Sequence, residues 1–336
     1  THMGEFEMMK KTTSALAIAA LLGTGAATAA TFQIDDNTTF SVAGDVELKY
    51  VSDTVDEGGI ADSDTDNSWD GGPALSGGGS EIKFSGEHTA DNGLTTFFTL
   101  DVDGFDVTGN DQRIKQDEST FFGVRGDFGT VTFGDINVSN DAIRDLADPM
   151  DSLTLDTVAA PGEVNETLQY ASPSFGMVSF VVDVSGGVAD DDDAQYTGRV
   201  DVALDAATLH AGYADFKDGD DYDSNWNLGA SMSVQGLTLA ANYGRFDASA
   251  DSGEDDVDIL NASVTAPIGD ANVYAVLGYA DFDEGDFTQF GAGMNYAITG
   301  NLSMFAEAAS FDDITQDSAG GDAKPEQFAI GTILKF

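Results

Sequence analysis

Residues 40–50 read FSVAGDVELKY. In an extended chain, side chains alternate between two faces. Phe40, Val42, Val46, Leu48 and Tyr50 then share one face, with Gly44 among them. Ser41, Ala43, Asp45, Glu47 and Lys49 share the other. One side is apolar and the other charged, over a length close to the ~9–11 residues of a strand that crosses a bilayer.

The same period of two recurs outward from this stretch. SEIKFSGEHTA (80–90) sets Ile82 and Phe84 against Glu81, Lys83 and Glu87. LTTFFTLDVDG (94–104) aligns Leu94, Phe98, Leu100 and Val102. NWNLGASMSV (225–234) alternates Trp226, Leu228, Ala230, Met232 and Val234 with Asn225, Asn227, Gly229, Ser231 and Ser233. The chain ends on EQFAIGTILKF (326–336), where Phe328, Ile330, Thr332, Leu334 and the terminal Phe336 form one stripe. About sixteen such segments can be placed, centred near 45, 85, 99, 121, 133, 169, 181, 200, 211, 230, 241, 261, 276, 292, 306 and 331.

The connections alternate in length. Short turns are DNG (91–93), DFG (127–129), PSFG (173–176), DAA (205–207), QG (235–236), PIGD (267–270) and ITGN (298–301). Between them lie long acidic or glycine-rich links, among them 53–79, 139–166 and 312–325. Tight turns at one end and long loops at the other describe an up-and-down antiparallel meander. An open sheet of that size would expose its edges, and closure removes them. The polar faces carry charge almost everywhere. Aromatics gather near strand ends (Tyr50, Phe97, Phe98, Phe105, Tyr213, Tyr243, Tyr279, Phe282), as an interfacial girdle requires. The fold class is therefore all-β, a 16-stranded antiparallel transmembrane β-barrel, greasy outside and wet within. An even strand number puts both termini on the periplasmic side.

Composition narrows the partners. Against 60 Asp+Glu the 336-residue chain has 13 Lys+Arg, a formal charge of −47. No basic footprint exists to neutralise nucleic-acid phosphates. With 41% hydrophobic residues and 22 Phe, the chain is not a solvated acidic coil. Halophilic adaptation is one source of such acidity. Cysteine is absent. Residues 1–8 read as a vector-derived remnant. Residues 9–29 read as a secretory signal peptide: Lys10 and Lys11, a small apolar run, then the A-x-A site Ala27-Thr28-Ala29. Residues 30–336 form the barrel.

Catalytic and metal chemistry find little support. His2 lies in the remnant, and His88 and His210 fall in no recognisable motif. Asp62-x-Asp64-x-Asp66 resembles the start of a calcium loop, but Asn67 replaces the turn glycine and Pro73 stands where the bidentate Glu belongs. No cofactor is expected, only weak cation binding by the acidic loops.

The chain resembles the trimeric general porins of Gram-negative outer membranes. FFGVRGDFGTVTFGD (121–135) is similar to that family's strand–turn–strand segment, TLQYASPSFGMVSF (167–180) to its Tyr-x-Ser-Pro-x-Phe segment, and the closing strand with Phe336 to its C-terminal assembly signal. The resemblance implies a homotrimer in outer-membrane lipid, inserted by the barrel-assembly machinery, that passes small solutes and ions. It also implies an inward-folded constriction loop at 139–166, bearing Asp145, Asp148, Asp151, Asp156 and Glu163. Such porins place Arg or Lys on the opposing wall. The matching positions here are Asp45, Glu81, Glu118 and Asp135, with Lys49, Lys83 and Arg125 as nearby bases. The expected constriction is acidic on more than one side and favours cations. A substrate-specific channel and a non-conducting structural or adhesive barrel are the alternative readings.

Overall fold

The structure is a computed structural model. It describes residues 29–54, 65–71, 80–103, 115–116, 119–153, 166–186, 195–216, 222–250, 256–282, 285–312 and 326–336. Glu118, Asp156, Glu163, Phe105, Asp62, Asp64 and Pro73 of the calcium-like stretch, and the signal segment before Ala29 lie outside them.

Sixteen strands form one ring. They are β1 (Thr38–Thr54), β2 (Glu81–Thr89), β3 (Thr95–Asp103), β4 (Phe121–Gly126), β5 (Gly129–Gly134), β6 (Thr167–Ala171), β7 (Val178–Ser185) and β8 (Gln195–Ala203), then β9 (Ala207–Phe216), β10 (Tyr222–Val234), β11 (Leu237–Ala248), β12 (Val257–Ile268), β13 (Ala271–Phe282), β14 (Gly285–Ala297), β15 (Leu302–Asp312) and β16 (Glu326–Lys335). Each pairs antiparallel with its neighbours, and β16 closes the ring on β1, with Ile330 opposite Tyr50 and Lys335 opposite Asp45. Each expected centre falls in one strand of the ring.

Three further extended pieces went unread in the sequence. Ala30–Asp35 pairs with the first part of β1, Ala30 opposite Val42, so it and β16 lie end to end along one strand position. Thr65–Gly71, within the first long link, continues the line of β2 along β1. Lys115–Gln116 does the same for β4 along β3.

The closure explains Gly44. Its N–H donates to the Phe336 carbonyl at 2.9 Å, and the Phe336 N–H donates to the Gly44 carbonyl at 2.8 Å. The Phe336 ring lies over Gly44, where an added Cβ would meet it at 2.8 Å. The turns obey local chemistry too. Gln235 and Gly236 both take positive φ, 53° and 86°, the pair that a two-residue hairpin turn requires.

The two faces of the ring are opposite in kind. Leu48, Phe98, Phe122, Leu228, Phe290 and Phe328 point outward, each more than two-fifths exposed. Asp101, Asn225, Asn242, Gln289 and Glu307 point inward and are buried. This inverts the order of a water-soluble protein and matches a barrel wrapped in hydrocarbon. Phe97 departs from the expected girdle. Strand alternation turns it inward beside Phe98, and there it lies under the Arg125 guanidinium, 5.2 Å from ring centroid to Cζ.

Candidate pore constriction

The wall is lowest where the long loop enters. β5 has six residues and β6 five, whereas β10 and β14 have thirteen each. After Gly134 the chain turns into the bore. Ser139 N–H donates to Asp183 Oδ2 of β7 at 2.8 Å, and Arg199 of β8 donates to the Ser139 carbonyl at 2.9 Å. Asn140 Nδ2 donates to Asn225 Oδ1 of β10 at 2.6 Å. These bonds clamp the root of the loop.

One helical turn follows, α1 (Asp141–Arg144), continued by a 3-10 turn over Asp145–Ala147. Ile143 is wholly buried. It seats over two wall glycines. A Cβ on Gly229 would come within 2.8 Å of Ile143 Cγ2, and one on Gly212 within 2.9 Å of its Cδ1. Arg144 pairs with Asp141 at 3.4 Å and lies over the Phe246 ring at 5.8 Å.

Further on, Met150 and Leu153 pack with Tyr274, Val276, Phe305, Ala309 and Ala329. Glu307 of β15 fixes the tip. Its carboxylate accepts the backbone N–H groups of Asp151 at 2.5 Å, Ser152 at 3.0 Å and Leu153 at 2.9 Å. The Tyr274 hydroxyl donates to it as well, at 2.6 Å. Asn295 donates to Asp151 Oδ2 at 2.7 Å. The loop is thus laid inside the barrel from β7 to β15.

Its acids remain wet at their tips yet enclosed by wall. Burial therefore holds the carboxyls of Asp141, Asp145 and Asp151 above the ordinary 3.8. Arg144 opposes this at the first two, and the Asn295 hydrogen bond opposes it at Asp151. Asp148 Oδ1 accepts the Met150 N–H at 3.1 Å, which shapes the bend.

On β1–β3 the inward residues include Asp45, Glu47, Lys49, Glu81, Lys83 and Asp101. Asp45 stands between Glu81 and Lys335 in the cross-strand register. Lys83 Nζ lies 2.7 Å from Glu81 and 3.0 Å from Asp101. Lys49 lies 3.6 Å from Glu47, and Glu47 is within electrostatic range of Asp151. Arg125 pairs with Glu87. Asp135 sits just past β5, its N–H donating to the Thr120 carbonyl at 2.8 Å. Of the loop acids read from the sequence, Asp145, Asp148 and Asp151 lie on the inward-folded segment.

Sequence reasoning missed Glu307, Tyr274, Arg199 and Asn225. Glu307 had a signal: it is the one acid in NLSMFAEAAS (301–310), at an inward position among small residues.

A closed barrel, apolar on its outer face and with a loop folded into its bore, has the architecture of a transmembrane channel. A family model described as Gram-negative porin matches residues 12–316, and the chain belongs to that family. It is an outer-membrane porin. Among its relatives are a monosaccharide porin of a Halomonas species and the major outer membrane protein of Halomonas elongata. Each is 25% identical to it, over 90% of this chain and 95% of the relative. Among solved structures, the anion-selective porin from Comamonas acidovorans superposes with a TM-score of 0.73 at 16% identity, covering 89% of this chain and 100% of that one. The trimer form of in-vitro folded OmpT from Vibrio cholerae gives 0.66 at 15%, covering 90% and 100%. At these identities the structures speak for the fold alone.

Proposed function

We propose that the chain is a passive diffusion channel, not an enzyme, for small hydrophilic solutes and ions, with a preference for cations. The observation that carries this is the pairing of the wall bases. Lys49, Lys83 and Arg125 each sit beside a carboxylate, Lys83 beside two, while the loop presents Asp145, Asp148 and Asp151. In a narrow bore an ion stays within the ~8 Å screening length at physiological salt, so acids on both walls add their fields. An anion-selective porin of Comamonas acidovorans has the same fold, which supports reading the selectivity from side chains and not from architecture.

The low wall at β5 and β6 supports a homotrimer. Six residues of tilted strand rise about 14–20 Å, short of an apolar band of ~25 Å, so that sector gains from cover by other copies. Export by the signal peptide at 9–29 and recognition of Phe336 by the assembly machinery complete the proposal. A monosaccharide-selective channel is the second reading, carried by the name of one relative. Liposome swelling with a series of sugars tests the first. Rates that fall smoothly with solute size support it, and saturation by one sugar contradicts it.

A further inference from the structure

On the short-turn side of the loop tip the lumen widens into a niche of about 370 Å³. Asp151 and Pro149 of the loop line it together with residues of β12–β16, among them Asn272 and Lys335, and with the β14–β15 turn at 299–301. Asp151 is the acid that lines it, and Glu307, the acid of β15 bonded to the loop tip, is outside the lining. Glu307 is engaged by three backbone N–H groups and a phenol. Asp151 is exposed, and the Asn295 amide takes Oδ2 alone, so Oδ1 has no partner among the described residues. Lys335 also lines the niche and is exposed, with Asp45 as its cross-strand neighbour, and it is within electrostatic range of Asp151. The niche thus offers a carboxylate and an ammonium to the same space, and neutral Asn272, Thr265 and Ser303 line it as well.

We propose that this niche is a subsite for small zwitterions of amino-acid size, with the solute ammonium at Asp151 and its carboxylate at Lys335. It rests on the channel reading above. A simple cation is drawn by Asp151 and repelled by Lys335, and a simple anion the reverse; a zwitterion gains from both contacts. The volume is that of a small-ligand pocket and leaves room for bridging water. Binding is weak and exchange fast, as a conducting pore requires.

The test uses the full-length protein in planar bilayers, with ion current recorded in KCl while alanine is added. The expected result is a fall in current that saturates with alanine, while glucose, acetate and ethylammonium at matched osmolality produce no saturating fall. Lys335→Gln and Asp151→Asn, each referred to its own open-channel current, weaken the alanine effect about tenfold. Should a variant fail to insert, the wild-type comparison of alanine with glucose decides alone. Channels that open normally but respond to alanine as to glucose overturn the subsite and leave the channel reading intact. Saturation by glucose instead assigns the niche to sugars and also overturns the proposal. Absence of any channel overturns both.

Discussion

Tyr274 on β13 donates its phenol hydrogen to Glu307 on β15 across 2.6 Å, over the glycine Gly293 of the strand between them. That pair is the anchor on which the loop tip rests, because the same carboxylate also receives three consecutive backbone N–H groups. Glu307→Gln keeps the shape but removes the charge and one acceptor. Each buried N–H left unsatisfied costs about 1–3 kcal/mol. The expected outcome is an intact barrel whose single-channel conductance is larger and noisier. Conductance steps as uniform as those of the wild type would show that the tip is held by something else.

The seat of α1 is steric. Gly229→Val drives atoms into Ile143 and Leu146, which already approach the missing Cβ at 2.8 and 3.1 Å. Overpacking of this kind costs about 1–3 kcal/mol, and the loop, not the hydrogen-bonded wall, is the part that yields. Altered conductance with unchanged heat stability of the barrel is expected, read by bilayer recording and by gel mobility after heating.

Acid should weaken cation preference earlier than free aspartate would. Burial raises Asp141, Asp145 and Asp151, so each takes its proton above pH 3.8. The cost of enclosing these charges is absent below 3.8 and fully present above the raised values, so docking tightens as pH falls through that window. A titration of the zero-current potential should therefore have its midpoint above 3.8. A midpoint at or below it would contradict burial of the loop acids.

Closure of the barrel depends on the contact between Gly44 and Phe336. Gly44→Val places side-chain atoms where the Phe336 ring lies, and deletion of Phe336 removes two backbone hydrogen bonds. Both changes are expected to lower the yield of folded protein in the outer membrane, with the deletion worse. Yields are compared by quantifying folded barrels in membrane fractions.

The strands were legible because each obeys a local rule. A residue facing lipid must be apolar, its neighbour facing the bore need not be, and the pattern survives in every wall segment. Gly44 was visible as a gap in an apolar stripe, but its reason lay 292 positions away, at Phe336. The loop that carries Asp145, Asp148 and Asp151 could be located from its length, and its anchors could not: Glu307 meets Leu153 at a separation of 154 residues. Nor does alternation reveal how charges pair. Lys83 and Glu81 share a face in any strand, whereas the approach of Asp101 depends on the register between β2 and β3. Ala30–Asp35 escaped notice because ATFQID has no clear alternation of charge and is held by pairing with β1.

The central claim is that acids dominate the narrowest part of the bore. The most direct measurement is the zero-current potential across a bilayer holding the wild-type protein in a KCl gradient at neutral pH, beside the variant Asp148→Asn with Glu81→Gln. The account predicts a potential of cation-selective sign, moved toward zero in the variant and toward zero again at 1 M salt, where the screening length falls to ~3 Å. A wild-type potential of anion-selective sign would contradict it.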